Sequence, residues 1–378
     1  MVALENPVYV LFMLALMVLL GVLAEKTKWG KQLGAALLAI VFTAIIANLG
    51  LVPSASNSIP LYDGIFSYVA PLSIFFLMLG VNLNAIKKAG LPMIGLFVLG
   101  SLATVIGILL AWVLINPETQ LGENASTLAG MLTGTYTGGS VNFNAIALEY
   151  EFQEQGVLYA GTIAVDNVVT TLWIIVTLAL PRLLRPIWKD NRGVTQKTQA
   201  VQEIEKKGMD IYSLAWLFVL GTSCFFISET LSRYFPSIPS ILTLTTLGIL
   251  LAQTKFVSQL NGAHTLGLYM VFLFLAVIGA YCEIEAVVAL KEIGWTLFLF
   301  TTLAVLVHGV VIIGIGGIFY RDWSMIAIAS QANIGGGATA LALAETFDRK
   351  ELMLPAILVG TLGNALGTYL GFMVIQLL

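Results

Sequence analysis

Residues able to do chemistry are scarce in this 378-residue sequence, and they gather in a few places. One set is Thr133, Thr135, Thr137, Gly138, Gly139, Ser140, Asn142 and Asn144; a second is Ser330, Gln331, Asn333, Gly335, Gly336, Gly337 and Thr339. These side chains are hydroxyls and amides, and glycine lets a ligand approach the backbone closely. They suit the binding of a small polar solute better than bond breaking. A third set follows each of the first two: Asp166, Asn167, Thr170 and Thr171, then Asn364 and Thr368. Asp166 is the only carboxylate well inside an apolar stretch, a costly placement that marks function by default. Burial favours its neutral form, whereas a bound cation keeps it ionised. Either H+ or a Na+ ion near Asp166 could therefore be the coupling ion. The plainer alternatives are a structural carboxylate tied to a neighbouring helix, and small residues that merely allow helices to pack closely.

Other candidates weigh less. His308 lies mid-span and could relay protons, although a lone histidine in an apolar helix is more often a packing partner. Glu149, Glu151, Glu154, Glu229, Glu283 and Glu285 fall at helix ends and read as solvated, and Glu345 could act at a gate. Cys224 and Cys282 are too few for a disulfide framework and read as small hydrophobes. There is no phosphate loop, Cys/His metal cluster or nucleophile elbow. The chain is therefore not expected to be an enzyme or to need an organic cofactor. Its net charge of −3 gives no sign of a nucleic-acid partner.

The elements that must position these groups are membrane helices. Hydrophobic residues make up 58% of the chain and charged residues 10%, against about 25% charged in soluble domains. Ten stretches approach the roughly 20 apolar residues a bilayer demands: 7–24, 33–52, 61–83, 91–115, 156–180, 211–230, 238–254, 264–282, 294–318 and 351–378. The first reads as a retained span, because no basic segment precedes it and Lys26, Lys28 and Lys31 follow. Trp29, Trp112, Trp188 and Trp323 fall near span ends, as an interfacial belt requires. Segments 125–148 and 323–345 differ, being interrupted midway by glycines.

The excess of Lys and Arg in cytoplasmic loops decides whether those two segments cross. If both cross, the 18 basic residues divide evenly. If both turn back as hairpins with the N-terminus outside, sixteen fall inside: Lys26, Lys28, Lys31, Lys87, Lys88, Arg182, Arg185, Lys189, Arg192, Lys197, Lys206, Lys207, Lys255, Arg321, Arg349 and Lys350. Only Arg233 and Lys291 stay outside. Each half then has an odd number of crossings, so the halves are inverted. A shift of 197 residues lays Gly138-Gly139 on Gly335-Gly336, Asn167 on Asn364 and Thr171 on Thr368, with eight identities over the 56 positions 125–180. The expected fold is an all-α integral membrane protein of two inverted repeats, each with five transmembrane helices and one re-entrant hairpin. The repeats are 1–180 and 211–378, joined by a cytoplasmic linker at 181–210. Transporters of this design bind near the midplane, at the helix interruptions.

The segment Thr133 to Ala145, followed by Asp166-Asn167, resembles a bacterial membrane family of the cation:proton antiporter and anion transporter clan. Relatives there include sodium/glutamate symporters, citrate carriers and bile-acid sodium symporters. The resemblance implies a mobile core carrying both hairpins, a dimerising scaffold and elevator-like movement. Asp166-Asn167 departs from the Asp-Asp or Asn-Asp order of the clan's sodium/proton antiporters, and Gly363-Asn364 carries no acid. The expected function is thus sodium- or proton-coupled symport of a small polar solute (amino acid, carboxylate or short peptide) across a bacterial inner membrane. A sodium/proton antiporter and a non-transporting ligand-binding subunit or sensor are the alternatives.

Overall fold

The computed structural model describes residues 6–28, 30–190, 209–235, 238–282 and 284–378. Trp29, Glu283 and the linker residues Arg192, Lys197, Lys206 and Lys207 lie outside the described residues. So do the side chains of Lys31, Glu285, Lys291 and Glu345. Among the described residues there are helices and turns but no strands. Fourteen helices matter here. They are α1 (Pro7–Glu25), α2 (Gly30–Asn48), α3 (Pro60–Met78), α4 (Leu91–Ile115), α5 (Asn124–Gly138), α6 (Ser140–Glu149) and α7 (Gly156–Leu184). After the linker come α8 (Ile211–Tyr234), α9 (Ser240–Ala252), α10 (Ala263–Ala280), α11 (Ile284–Phe319), α12 (Trp323–Ile334), α13 (Gly336–Thr346) and α14 (Lys350–Leu377).

All ten expected spans are helical, and among the described residues eight are long and apolar enough to cross a membrane. The chain is therefore a multi-pass membrane protein. The two shorter ones have local causes. A non-helical Gly34 (φ +74°) kinks α2 and leaves Gly34–Asn48 as its apolar length, and α9 is bounded by Pro239 and a turn at Gln253. Within α3, the π-turn Ile65–Val69 precedes Pro71, where a proline ring would otherwise press on a carbonyl one turn back. Side-chain oxygens of Asn6, Asp210 and Asp322 cap α1, α8 and α12 by accepting first-turn N–H bonds.

The helices sort into two packed groups that cut across the two halves of the sequence. In one, α1 packs on α2, α2 and α3 on α10, and α8 and α9 on α3. In the other, α4 lies along α11, α5 along α14, α7 against α11 and α12, and α13 against α14. The groups meet through α6, α7 and α14, which touch α2, α3, α9 and α10.

Contacts at the helix ends also fall into two sets. At one end Asn48 donates to the Cys282 carbonyl, Cys282 to the Gly156 carbonyl, and the Ile241 N–H to Glu149. At the other, Gln253 donates to the Val81 carbonyl, Arg185 to Ser324, Trp323 to the Trp188 carbonyl, and Arg349 to Asp322 through two N–H groups at 2.8 and 2.9 Å. Lys26, Lys28, Lys87, Lys88, Arg182, Arg185, Lys189, Lys255, Arg321, Arg349 and Lys350 belong to this second end. Among the basic residues whose side chains are described, Arg233 alone belongs to the first.

Candidate functional site

Both glycine-broken segments fold back on themselves. Between α5 and α6 the break falls at Gly139, whose φ of +96° favours glycine. A methyl placed on Gly134 would lie 3.0 Å from Ile146 Cδ1, whereas twelve residues of continuous helix span about 18 Å. Between α12 and α13 the break falls at Gly336 (φ +79°), and Gln331 Nε2 donates back to Thr339 Oγ1 at 3.2 Å. Thr339 in turn donates to the Gly336 carbonyl at 3.0 Å.

The two hairpins approach from opposite ends of the bundle, and their tips meet midway along α14. Gly130, Gly134 and Gly138 on α5 face Gly371, Gly367 and Gly363 on α14 in antiparallel order; a methyl on Gly138 would sit 2.0 Å from the Gly363 carbonyl. Glycines four apart on both helices let the backbones touch. From the other end, Gly337 reaches Gly360, where a methyl would sit 2.4 Å from the Gly337 Cα. Only one helical turn of α14 separates the two contacts.

Several expected ligand groups are committed to the fold. Asn142 is fully buried and grips α14: Nδ2 donates to the Gly363 carbonyl at 3.3 Å, and Oδ1 accepts from the Thr368 N–H and hydroxyl at 3.0 and 2.7 Å. Asn144 accepts from the Tyr159 hydroxyl. Asn333 pairs with Ser101 at 2.9 Å, and the amide orientation that satisfies both of its ends also donates to the carbonyls of Phe97 and Ala329. Gln331 accepts from Thr177 at 3.2 Å, which ties the second hairpin to α7. Thr133 bonds its own helix through the Ala129 carbonyl, and Thr135 is buried.

Other groups keep capacity. The Thr137 hydroxyl is fully buried beside the first tip and has no hydrogen-bond partner. Ser140 is exposed at the start of α6, and Gly335, Gly336 and Gly337 are half-buried at the start of α13. Asn364 is half-buried on α14. On α7, Asp166 is half-buried and accepts from Thr170 at 3.3 Å, while Thr171 bonds the Asn167 carbonyl. The Tyr136 hydroxyl faces the Asp166 carboxylate without reaching hydrogen-bond geometry. A carboxylate flanked by two hydroxyls offers the oxygen ligands a hard cation prefers. No cluster of three His, Cys, Asp or Glu residues suited to a transition metal occurs among the described residues.

His308 belongs to a buried network. Its Nδ1 lies 2.9 Å from the Gly100 carbonyl and 3.1 Å from Thr104, and its Nε2 lies 2.9 Å from Ser330, to which Trp173 donates at 3.0 Å. Four helices, α4, α7, α11 and α12, are thereby joined through one imidazole. Sequence reasoning passed over Tyr136 and Trp173. Trp173 lies two turns beyond Asp166, so helical periodicity puts both on one face of α7. It passed over the glycine ladders too, although both repeat every four residues.

The chain is 27% identical over 370 residues to the uncharacterized membrane protein YjcL of Bacillus subtilis (strain 168), covering 92% of this chain and 91% of that one. A family model described as protein of unknown function DUF819 matches residues 10–378, and the chain belongs to that family of membrane proteins.

Proposed function

We propose that the chain is a secondary active transporter of a bacterial inner membrane. In this reading it carries a small polar solute by sodium- or proton-coupled symport and is not an enzyme. The observation that carries it is the meeting of two oppositely directed hairpin tips halfway along α14. Non-helical backbone at bilayer depth is tolerated only when buried or lining a cavity, and paired broken helices mark binding sites in transporters. The N-terminal ends of α6 and α13 both start at the tips, where their dipoles favour an anionic group such as a solute carboxylate. The unpartnered Thr137 hydroxyl is a free donor beside them. Asp166, with Thr170 and Tyr136, takes the coupling ion. Through Trp173 and Thr177, α7 also reaches Ser330 and Gln331 of the second hairpin, so ion occupancy can be felt at both tips.

Inverted repeats are part of the proposal. In their favour, Gly139 and Gly336 are 197 residues apart and both have positive φ. Glu151 and Asp348, also 197 apart, are left-handed non-glycine residues just after each hairpin. The cross-arm contacts repeat as well, Gly134 to Asn142 and Gln331 to Thr339. The basic end faces the cytoplasm in this reading. The group holding both hairpins is the moving body of an elevator, as in the clan the motif resembles, and the other group is its dimerising scaffold.

The test is uptake of labelled amino acids, carboxylates and dipeptides into proteoliposomes under an imposed sodium or proton gradient. Candidates come from a thermal-shift screen of the purified protein, since a ligand at one hundred times its Kd adds about 2.7 kcal/mol. Gradient-driven accumulation is expected in the parent and only equilibration in Asp166→Asn. Accumulation unchanged in that variant removes the coupling role. Sodium pulses that collapse a pH gradient without any solute would place the protein among antiporters instead.

A further inference from the structure

The boundary between the two helix groups is incompletely filled. An apolar groove of about 500 Å³ runs between α2 and α7, with Leu37, Ala44, Ala160, Ala164 and Cys282 in its walls. A second space, a cleft of about 780 Å³, opens between α3, α6, α8 and α9 at the end that carries Arg233. Along both, the groups lack the close packing that makes a protein interior rigid. Polar contacts cross the boundary instead. The hydroxyls of Tyr369 on α14 and Thr246 on α9 lie 2.7 Å apart, and Cys282 donates to the Gly156 carbonyl at 3.1 Å. The Ile241 N–H, in the first turn of α9, donates to Glu149 Oε2 at 3.1 Å.

The Glu149 contact is unlike the others, because it completes a helix. The first N–H groups of any helix lack an intrahelical partner, and a negative charge is favoured beside them. The N-cap of α9 is Pro239, which makes no side-chain cap bond. Glu149, half-buried at the end of α6, faces the N–H groups of both Ile241 and Ser240. A side chain of the first hairpin thus caps a helix of the opposite group. We propose that Glu149 is a detachable fastener that holds the two helix groups together at the Arg233 end. Movement of one group past the other takes the carboxylate off α9 and leaves that helix start to water. The fastener therefore favours the arrangement seen in the structure and opposes separation. This role rests on the transport reading only for the use to which the separation is put.

Cys282 is a native reporter of that separation, being 6% exposed in the walls of the groove and bonded across the same boundary. In a Cys224→Ser background it is the one remaining cysteine. Its rate of alkylation by N-ethylmaleimide in the detergent-purified protein is expected to rise about fivefold or more in Glu149→Ala, as local opening becomes more frequent. Glu229→Gln, a change at another carboxylate of the same cleft, should leave the rate unchanged. Amide exchange in the first turn of α9 should also quicken in Glu149→Ala. Adding Pro239→Ser gives α9 a cap of its own, so its exchange should slow again while Cys282 stays reactive. Return of Cys282 to the parental rate in that double variant overturns the proposal, since Glu149 would then serve α9 alone. An unchanged rate or unchanged exchange in Glu149→Ala overturns it as well, as does an equal rise in Glu229→Gln. The expected pattern in a protein that accumulates no solute supports the fastener and fails only the transporter reading.

Discussion

At Gly138 a methyl group would collide with the Gly363 backbone, whereas at Gly139 nothing lies within 4 Å and only the φ of +96° resists a side chain. The two neighbours therefore predict different behaviour on substitution by alanine. Gly139→Ala should cost about 1–3 kcal/mol through backbone strain and keep the tip docked. Gly138→Ala should separate the tip from α14, which a cysteine cross-link between the first hairpin and α14 would report as lost. Asn142→Ala leaves the Gly363 carbonyl and the Thr368 hydroxyl short of a partner in a buried place, at about 1–3 kcal/mol for each unsatisfied group. A fall in the melting temperature of the purified protein checks this. Residue types alone marked Asn142, Asn144 and Asn333 as polar groups in an apolar setting. Whether such a group faces solute or protein depends on which helix packs beside it, and no single sequence states that. Asp166 stood out in the sequence because an acid within an apolar span is costly, and the structure places it half-buried beside Thr170.

Among the elements, the glycine-broken segments were readable as breaks, and the basic residues supplied their direction of return. The partner of each arm was less accessible. The α5 ladder of Gly130, Gly134 and Gly138 matches the α14 ladder of Gly363, Gly367 and Gly371 only once the two are known to run antiparallel. Gly367→Val is expected to abolish folding of the helix group that holds both hairpins, because even a methyl there meets Asn142 at 2.4 Å and the Gly134 carbonyl at 2.7 Å. Loss of a monodisperse peak in size-exclusion chromatography would show it. The start of α8 responds to acid instead. Asp210 accepts from the N–H and hydroxyl of Ser213, which hold its carboxyl below the usual range. A depressed folded-state pKa contributes stability that is present above the unfolded value of about 3.9 and lost as pH falls through the folded value. Amide exchange in the first turn of α8, relative to its middle, should therefore rise below about pH 4. Asp210→Asn should remove that acid step.

For the whole molecule, the division of basic residues between the two ends carries a topological prediction. An impermeant maleimide should label Glu118→Cys in intact cells and Ser258→Cys only after the membrane is opened, since both sites are exposed and belong to opposite ends. The native Cys224 and Cys282 are buried and should give little background. Labelling with the opposite pattern would reverse the orientation. The end-to-end order could be read from composition because bilayer thickness and loop charge are constraints on long segments. The sorting of helices into two groups could not, since it depends on contacts between segments far apart in the chain. The same distance governs synthesis. The ladder on α5 docks onto α14, more than 220 residues later in the chain, so the first hairpin leaves the ribosome long before its seat exists. Until Gly363, Gly367 and Gly371 have been translated, its threonines and open backbone must be sheltered by an insertase or held at the membrane surface. A nascent chain arrested before Lys350 should therefore stay sensitive to protease within residues 125–148, however well the earlier spans have inserted.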